Sequence, residues 1–379
     1  MNSKSIEIIG KKCIQCHICE TVCPHKCITF SYNEKGFIVP KINNECIQCG
    51  ACLSSCPSFE KNVNKHSYEK PIKVFYGFNN NIDERSKSSS GGIFYLLAKK
   101  AKEMDFDVIS TTYSDNLRKC FYSNSSDSPI EKMRQSKYCE SDFSGVIQII
   151  KNNLIKNKKT LVCGTPCHIN SIRHLFKNDE NLFLVDFVCH GVPSTKLFND
   201  SLNYYEKKMG GTITQIDFRY KSSAYSTSLA LMLSTEKKKI VVPWQEDRYY
   251  YAFEKLWILR DSCYYCDFKN RHSGDITVGD FWDGKKYNIE VDNKNGCSII
   301  FVNNNKGNEM LKLINSKLTI AELPFYQGYS APHKQESDYN KQVLFFETLN
   351  DEDFISTCDH LFFKKLRIKL RIKRFLKIG

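Results

Sequence analysis

Cys13-Ile14-Gln15-Cys16-His17-Ile18-Cys19-Glu20-Thr21-Val22-Cys23-Pro24 and Cys46-Ile47-Gln48-Cys49-Gly50-Ala51-Cys52-Leu53-Ser54-Ser55-Cys56-Pro57 are near-copies of one pattern. With Cys27, they hold half of the chain's eighteen cysteines. Both fit C-x2-C-x2-C-x3-C-P, the run that carries 4Fe–4S clusters. The short spacings let three thiolates grip adjacent corners of one cube, while the fourth reaches the other cluster. One expected cluster therefore takes Cys13, Cys16, Cys19 and Cys56, and the other takes Cys46, Cys49, Cys52 and Cys23. The fourth cysteine of each run is expected at the start of a helix-like segment. Zinc usually takes two separated ligand pairs, which a triplet with a fourth thiol at fixed distance does not match. A disulfide framework needs an oxidising compartment, and no apolar signal region opens the sequence. Cys27 falls outside the pattern and reads as a packed thiol.

At 379 residues, with 41% hydrophobic and 26% charged residues, the chain has the composition of a soluble globular protein of two or three domains. No apolar run approaches the ~20 residues that span a bilayer. Cluster-type cysteine usage points to a reducing cytoplasm. The net charge of +13 suggests nucleic acid at first sight, but residues 364–379 alone hold eight Lys and Arg and no acid. Without them the excess is modest, so no nucleic-acid partner is expected. In that tail basic residues alternate with Leu366, Ile368, Leu370 and Ile372. Such a tail suits an anionic membrane surface, at the inner membrane face, or an acidic partner; a solvated terminus is the plain alternative.

The first 60 residues read as the two-cluster module and residues 61–73 as a polar linker. From Val74 strands alternate with helices: strands at Val74–Phe78, Asp107–Thr112, Thr160–Cys163 and Leu182–Cys189, helices at Ile93–Met104 and Val146–Leu154. Residues 212–250 read as further strands. Residues 74–330 thus form a larger α/β domain, and 331–379 a C-terminal extension without a clear pattern. The unusual residues fall at the carboxyl ends of strands, where such sheets place ligands.

Four stretches combine Gly, Pro, Cys and charge beyond what packing needs. Ser88-Ser89-Ser90-Gly91-Gly92 precedes the Ile93 helix, where small residues and exposed N–H groups favour a phosphate; an ordinary capped helix is the alternative. Gly164-Thr165-Pro166-Cys167-His168 follows the Thr160 strand, and Cys189-His190-Gly191-Val192-Pro193-Ser194 follows the Leu182 strand. Cys263-Tyr264-Tyr265-Cys266 is a C-x2-C pair, half a metal site, followed by Arg271 and by Gly274 to Trp282. Cys167 and Cys189 would complete it as a third 4Fe–4S cluster or a zinc site, unless they are buried or reactive thiols. Cys120, Cys139, Cys163, Cys297 and Cys358 have no partner spacing and read as packing residues. His168 suggests acid–base work, with a hydrogen-bonded structural histidine as the alternative.

The ordered set Ser88–Gly92, Ser136-Lys137-Tyr138, Gly164–Cys167, Cys189–Ser194, Phe218-Arg219-Tyr220-Lys221, Cys263–Phe268 and Asp275–Trp282 resembles the coenzyme F-420 hydrogenase/dehydrogenase beta-subunit family, from about Lys73 to about residue 325. The ferredoxin module in front fits bacterial members. The resemblance implies an α+β ferredoxin-like two-cluster module followed by an α/β flavin-binding domain. It implies FAD or FMN, with Ser89, Gly91, Gly92, Ser136, Lys137 and Tyr138 near the flavin or its phosphates, and Gly164, Thr165, Pro166 and Arg271 along the cofactor. Lys137 and Arg271 would stabilise an anionic flavin or a substrate phosphate, and Asp280 would orient the ring or move a proton. Catalytic roles are thereby expected for Lys137, Asp280 and His168. The family commonly has Gln where this chain has His168, Gly where it has Gln135, and Gly where it has Asp283. These departures surround the expected active site, so they bear on substrate and electron acceptor rather than on fold.

The expected function is an iron–sulfur flavoprotein oxidoreductase joining 4Fe–4S clusters, a flavin and a small organic substrate or deazaflavin. A redox partner protein or reduced ferredoxin would exchange its electrons. Relatives with this layout resemble proteins of surface-polysaccharide synthesis. A non-catalytic electron relay, or an adaptor that has lost flavin, is the competing class.

Overall fold

The computed structural model describes residues 5–63, 67–68, 70–221, 229–268, 271–292, 294–323, 336–364, 366 and 368. Most of the basic tail lies outside these residues. The first two strands, β1 (Ile28–Tyr32) and β2 (Ile38–Ile42), form an antiparallel hairpin between the two cysteine runs. Twelve strands follow: β3 (Lys73–Asn79), β4 (Asp107–Tyr113), β5 (Cys120–Asn124), β6 (Ser141–Asp142), β7 (Thr160–Gly164), β8 (Leu182–Phe187), β9 (Gln215–Asp217), β10 (Ala230–Ser234), β11 (Lys239–Pro243), β12 (Ile276–Asp280), β13 (Ser298–Val302) and β14 (Leu318–Glu322).

Nine of these make one sheet in the order β14-β3-β13-β12-β8-β7-β4-β5-β6. Its centre, β12-β8-β7-β4, is parallel, and antiparallel strands flank it. Parallel strands covered on both faces must be apolar nearly throughout. Val108, Ile109, Val162, Val185 and Ile276 are accordingly fully buried. The helix Ile93–Glu103 buries Ile93, Leu96, Leu97 and Ala101 in the core beside β4 and β7. A second sheet, β11-β10-β9, packs with the helices Thr195–Met209 and Arg248–Glu254 into an aromatic core around Phe198, Phe218, Tyr249, Tyr250 and Phe253.

The α/β alternation holds, with boundaries shifted where capping or function intervenes. β8 stops at Phe187; the Val188 amide still donates to Val278 O in β12 (2.9 Å), and Cys189 lies beyond the strand. The strand reading of residues 212–250 ends early because Asp247 caps a helix, its carboxylate accepting from the Tyr250 amide (2.6 Å). Residues 336–358 are largely helical, in Glu336–Asp351 and Phe354–Cys358. In each cysteine run it is the third thiol, Cys19 or Cys52, that sits in a short helix; Cys23 ends its helix rather than starting one.

The β1–β2 turn docks on the larger domain: Ser194 Oγ donates to Lys35 O (2.5 Å) and the Thr195 amide donates to Gly36 O (3.2 Å). Gly36 has φ +79°, and a Cβ there would meet the Lys196 backbone nitrogen at 2.7 Å. Gly145 has φ +75°, and a Cβ added to it would meet nothing within 4 Å. Gly145→Ala is therefore expected to cost only the left-handed penalty, about 1–2 kcal/mol. Gly36→Ala should cost clearly more, read as the lower urea midpoint of the two variants. Equal midpoints would show that the turn does not need this close approach.

Candidate metal and cofactor site

The two cysteine runs share a backbone conformation as well as a spacing. Gln15 and Gln48 have φ 60° and 55°, and His17 and Gly50 have φ 56° and 80°. Left-handed residues cost energy in an L-chain, so their recurrence at matching positions of both runs marks a loop shape that the two thiol groups share. The Cys16 thiol is pushed well above its ordinary value, by burial and then by the Cys56, Cys19 and Cys13 thiols. Cys46, Cys49 and Cys52 share a second concavity with Cys23. The two groups are those expected from the spacing, and their thiol sets fit 4Fe–4S clusters. Cys27 is buried as expected, but its sulfur lies 3.4 Å from that of Cys23 and borders the second concavity.

Two side chains fasten the first cysteine loop to the larger domain. His168 Nε2 is 3.0 Å from Ile14 O, and its Nδ1 is 3.1 Å from the Tyr122 hydroxyl. A carbonyl only accepts, so Nε2 carries the hydrogen and Nδ1 accepts from Tyr122. Both ring nitrogens are engaged, and burial lowers the pKa to about 3, so the ring is neutral. This is a strut's environment, and it leaves the imidazole no free nitrogen for the acid–base work expected of it. Arg260, which no sequence motif marks, donates from Nε to Cys13 O (2.8 Å) and from Nη1 to buried Glu140.

Cys167, Cys189, Cys263 and Cys266 line one cavity of about 70 Å³ at the carboxyl ends of β7 and β8. Cys167 stands in the first turn of the helix Pro166–Phe176. Burial first, then Cys189, raises its thiol, with smaller contributions from Cys266 and Cys263, against the Thr165 hydroxyl 3.2 Å away. The Val192 amide donates to Cys263 Sγ (3.3 Å). The four thiols thus face one cavity, and Cys167 and Cys263 have hydrogen-bond partners on sulfur. Pro166 and Arg271 border this cavity.

Beside it lies a larger cavity of about 460 Å³, within the span of about 300–1,000 Å³ usual for organic ligands. Ser88, Ser89, Ser90 and Gly92 form one wall, Ser136, Lys137 and Tyr138 another, and Thr165, Asp280 and Trp282 come from strand ends. The Ser136 amide donates to Ser89 Oγ (2.6 Å), joining the two walls. Lys221 Nζ staples the serine turn by donating to Arg85 O (2.6 Å), Ser90 O (2.8 Å) and Asn295 O (2.6 Å). Gly91 and Gly164 do not face the cavity. A Cβ at Gly91 would meet Gly77 O at 2.6 Å, and one at Gly164 would strike the Tyr122 hydroxyl, so both serve packing. Asp280 is gripped by the Arg219 fork (2.8 and 3.0 Å), which makes it a paired carboxylate. Lys137 donates to Arg134 O (2.8 Å) and Gln135 O (3.2 Å), and burial lowers its pKa to about 8. Glu254, also unmarked by any motif, lines the cavity with its carboxyl raised by burial.

Two thiol groups docked beside a mixed α/β sheet, together with the matches that follow, mark an iron–sulfur protein. Residues 12–62 match a 4Fe–4S dicluster domain, and residues 45–96 match a second family of 4Fe–4S dicluster domains. Residues 157–325 match the C terminus of the coenzyme F420 hydrogenase/dehydrogenase beta subunit. The chain is thus similar to that domain over residues 157–325, with a dicluster match in front. Ser88–Gly92 and Ser136–Tyr138 lie outside residues 157–325. One solved structure, from the xenon-derivatised F420-reducing [NiFe] hydrogenase complex of Methanosarcina barkeri, has TM-score 0.48 and 16% identity, covering 74% of this chain and 92% of that chain. No curated protein matches the sequence.

The His168 strut sets a pH dependence. A histidine whose folded pKa is depressed contributes its full stability above the unfolded value of about 6.5, and loses it as pH falls toward 3, because only the unfolded chain takes the proton. At pH 5 the loss is about 2 kcal/mol. His168→Gln keeps one donor and one acceptor but does not titrate. Its urea midpoint should fall less than that of the wild type between pH 7.5 and pH 5; parallel slopes would overturn the neutral-strut assignment.

Proposed function

We propose that this chain is an iron–sulfur flavoprotein that carries electrons between a redox partner protein and a small organic substrate. Supporting this is the sharing of walls. Lys12, Ile14 and Ser58, next to the first cluster's thiols, border the cavity of Cys167, Cys189, Cys263 and Cys266. Phe187 to Cys189, Gly191, Val192, Ser262 and Cys263 border both that cavity and the larger one. The first thiol group and the two cavities thus adjoin in series, and each would hold one redox group. When bound, clusters would supply single-electron transfer and a flavin would join it to two-electron chemistry.

The protein's own part is placement and charge. Ser88 to Ser90 and Gly92 form a polar turn ahead of a helix, suited to phosphate oxygens. Lys137 presents a cation to whatever anion the cavity holds. The Arg219–Asp280 pair is neutral as a unit and fixes the wall that ends in Trp282. Glu254 is the carboxyl best suited to hold or release a proton there, since burial favours its neutral form. No helix among the described residues is long and apolar enough to cross a membrane. A role in surface-polysaccharide metabolism, and contacts of the basic tail, rest on the sequence alone.

Anaerobic purification with iron, sulfide and flavin measured on one sample tests this reading. Three clusters give about twelve irons per chain, with one flavin, and Cys263→Ala should bring iron to about eight. Eight irons and no flavin after reconstitution would leave the relay or adaptor. Lys137 adds a pH test: FAD or FMN affinity should weaken as pH rises through about 8, as the ammonium loses its proton. Lys137→Met should bind about tenfold more weakly at pH 7, with no step near pH 8; an unchanged step would place the titrating group elsewhere.

A further inference from the structure

Arg260 stands where two thiol groups meet. Its guanidinium Nε donates to the carbonyl of Cys13 (2.8 Å), in the first N-terminal thiol group. Its backbone carbonyl accepts from the Cys263 amide (2.9 Å), and its own amide donates to Val192 O (2.8 Å), the residue whose amide contacts Cys263 Sγ. One residue is therefore bonded to a cysteine residue of the dicluster and to one of the core thiol group. Both Arg260 and its carboxylate partner Glu140 are buried, at 6% and 3% exposure. Glu140 is fixed in turn by the Ile38 amide (2.7 Å) from the β1–β2 hairpin.

We propose that Arg260 and Glu140 are a potential-setting pair for the first N-terminal cluster and the core cluster. Reducing a cluster adds a negative charge, and a buried cation nearby favours that more than an exposed one would, because little water screens it. The guanidinium holds both potentials up, and Glu140 offsets part of its effect while fixing its position. The core-cluster half of the proposal rests on the function proposed above; the first-cluster half does not. Arg260 is a positioning residue here, since it touches the cysteines' backbones.

The test is EPR-monitored redox titration of the anaerobically purified full-length holoprotein, comparing wild type, Glu140→Gln, Arg260→Lys and Arg260→Gln at matched iron content. Glu140→Gln leaves the guanidinium uncompensated and should shift the first-cluster and core-cluster potentials upward. Arg260→Gln should shift both downward, and Arg260→Lys should restore most of the change. The cluster of Cys46, Cys49, Cys52 and Cys23 is the internal reference, because none of the residues around it borders the core thiol cavity. Shifts of the same sign in Glu140→Gln and Arg260→Gln, or equal movement of the reference cluster, would overturn the proposal. Should Arg260→Gln lose iron, Glu140→Gln and Arg260→Lys decide alone. A wild-type count of about eight irons would remove the core cluster, and the first-cluster shift would still decide the pair's role.

Discussion

The rest of the structure depends on two hydrogen bonds to adjacent backbone carbonyls, His168 to Ile14 and Arg260 to Cys13. Apolar packing would also bury the interface between a small cysteine module and a large α/β domain, but without direction. A carbonyl held by a buried donor sets distance and angle together, and leaving either unpaired would cost about 1–3 kcal/mol. The two bonds fix the loop that carries Cys13 and Cys16 against the ends of β7 and β8. Electron transfer between carriers is steeply sensitive to separation, so a joint that cannot slide matters more here than a strong one.

The Gly36 turn and the Ile38–Glu140 bond hold the hairpin side of the module in the same way. The module is thereby pinned at several points. Each point pairs a backbone group of the cysteine domain with a group from the larger domain. Backbone groups do not change rotamer, so this half of every joint is as rigid as the cysteine loops themselves.

The cysteine runs were legible in the sequence because their spacing is local, and the strand ends because apolar runs stop at Gly, Pro and Cys. Cys167, Cys189 and the Cys263–Cys266 pair could be grouped for the same reason, although nothing in their order says that they face one cavity. Glu140, Arg260 and Glu254 were not legible. The two residues of the buried pair are 120 positions apart, and Arg260 lies 247 positions from Cys13. No local period announces such partners. His168 was read for its chemistry, yet its environment is set by Ile14, 154 positions away. Gly91 was assigned to a ligand because small residues permit close approach, and Gly164 by the family resemblance; the approach exists, but to protein backbone and to Tyr122.

Charge in the large cavity follows from what is already paired. Buried ion pairs are weak sources of stability, since desolvation cancels much of their attraction, but breaking one is costly. Arg219 and Asp280 neutralise each other on the cavity wall, while Glu140 offsets part of the Arg260 charge. Lys137 donates to two carbonyls, which orient its ammonium without cancelling the charge, and Glu254 is shifted toward its neutral form. Lys137 thus adds positive charge to the cavity wall, where burial disfavours the charged form of Glu254. The serine turn lines the same cavity, with the Ser88 and Ser90 hydroxyls donating to Glu84 O and Cys297 O (both 2.8 Å). Tyr138, Phe253 and Trp282 line the same cavity, so one wall joins a cation to aromatic surface.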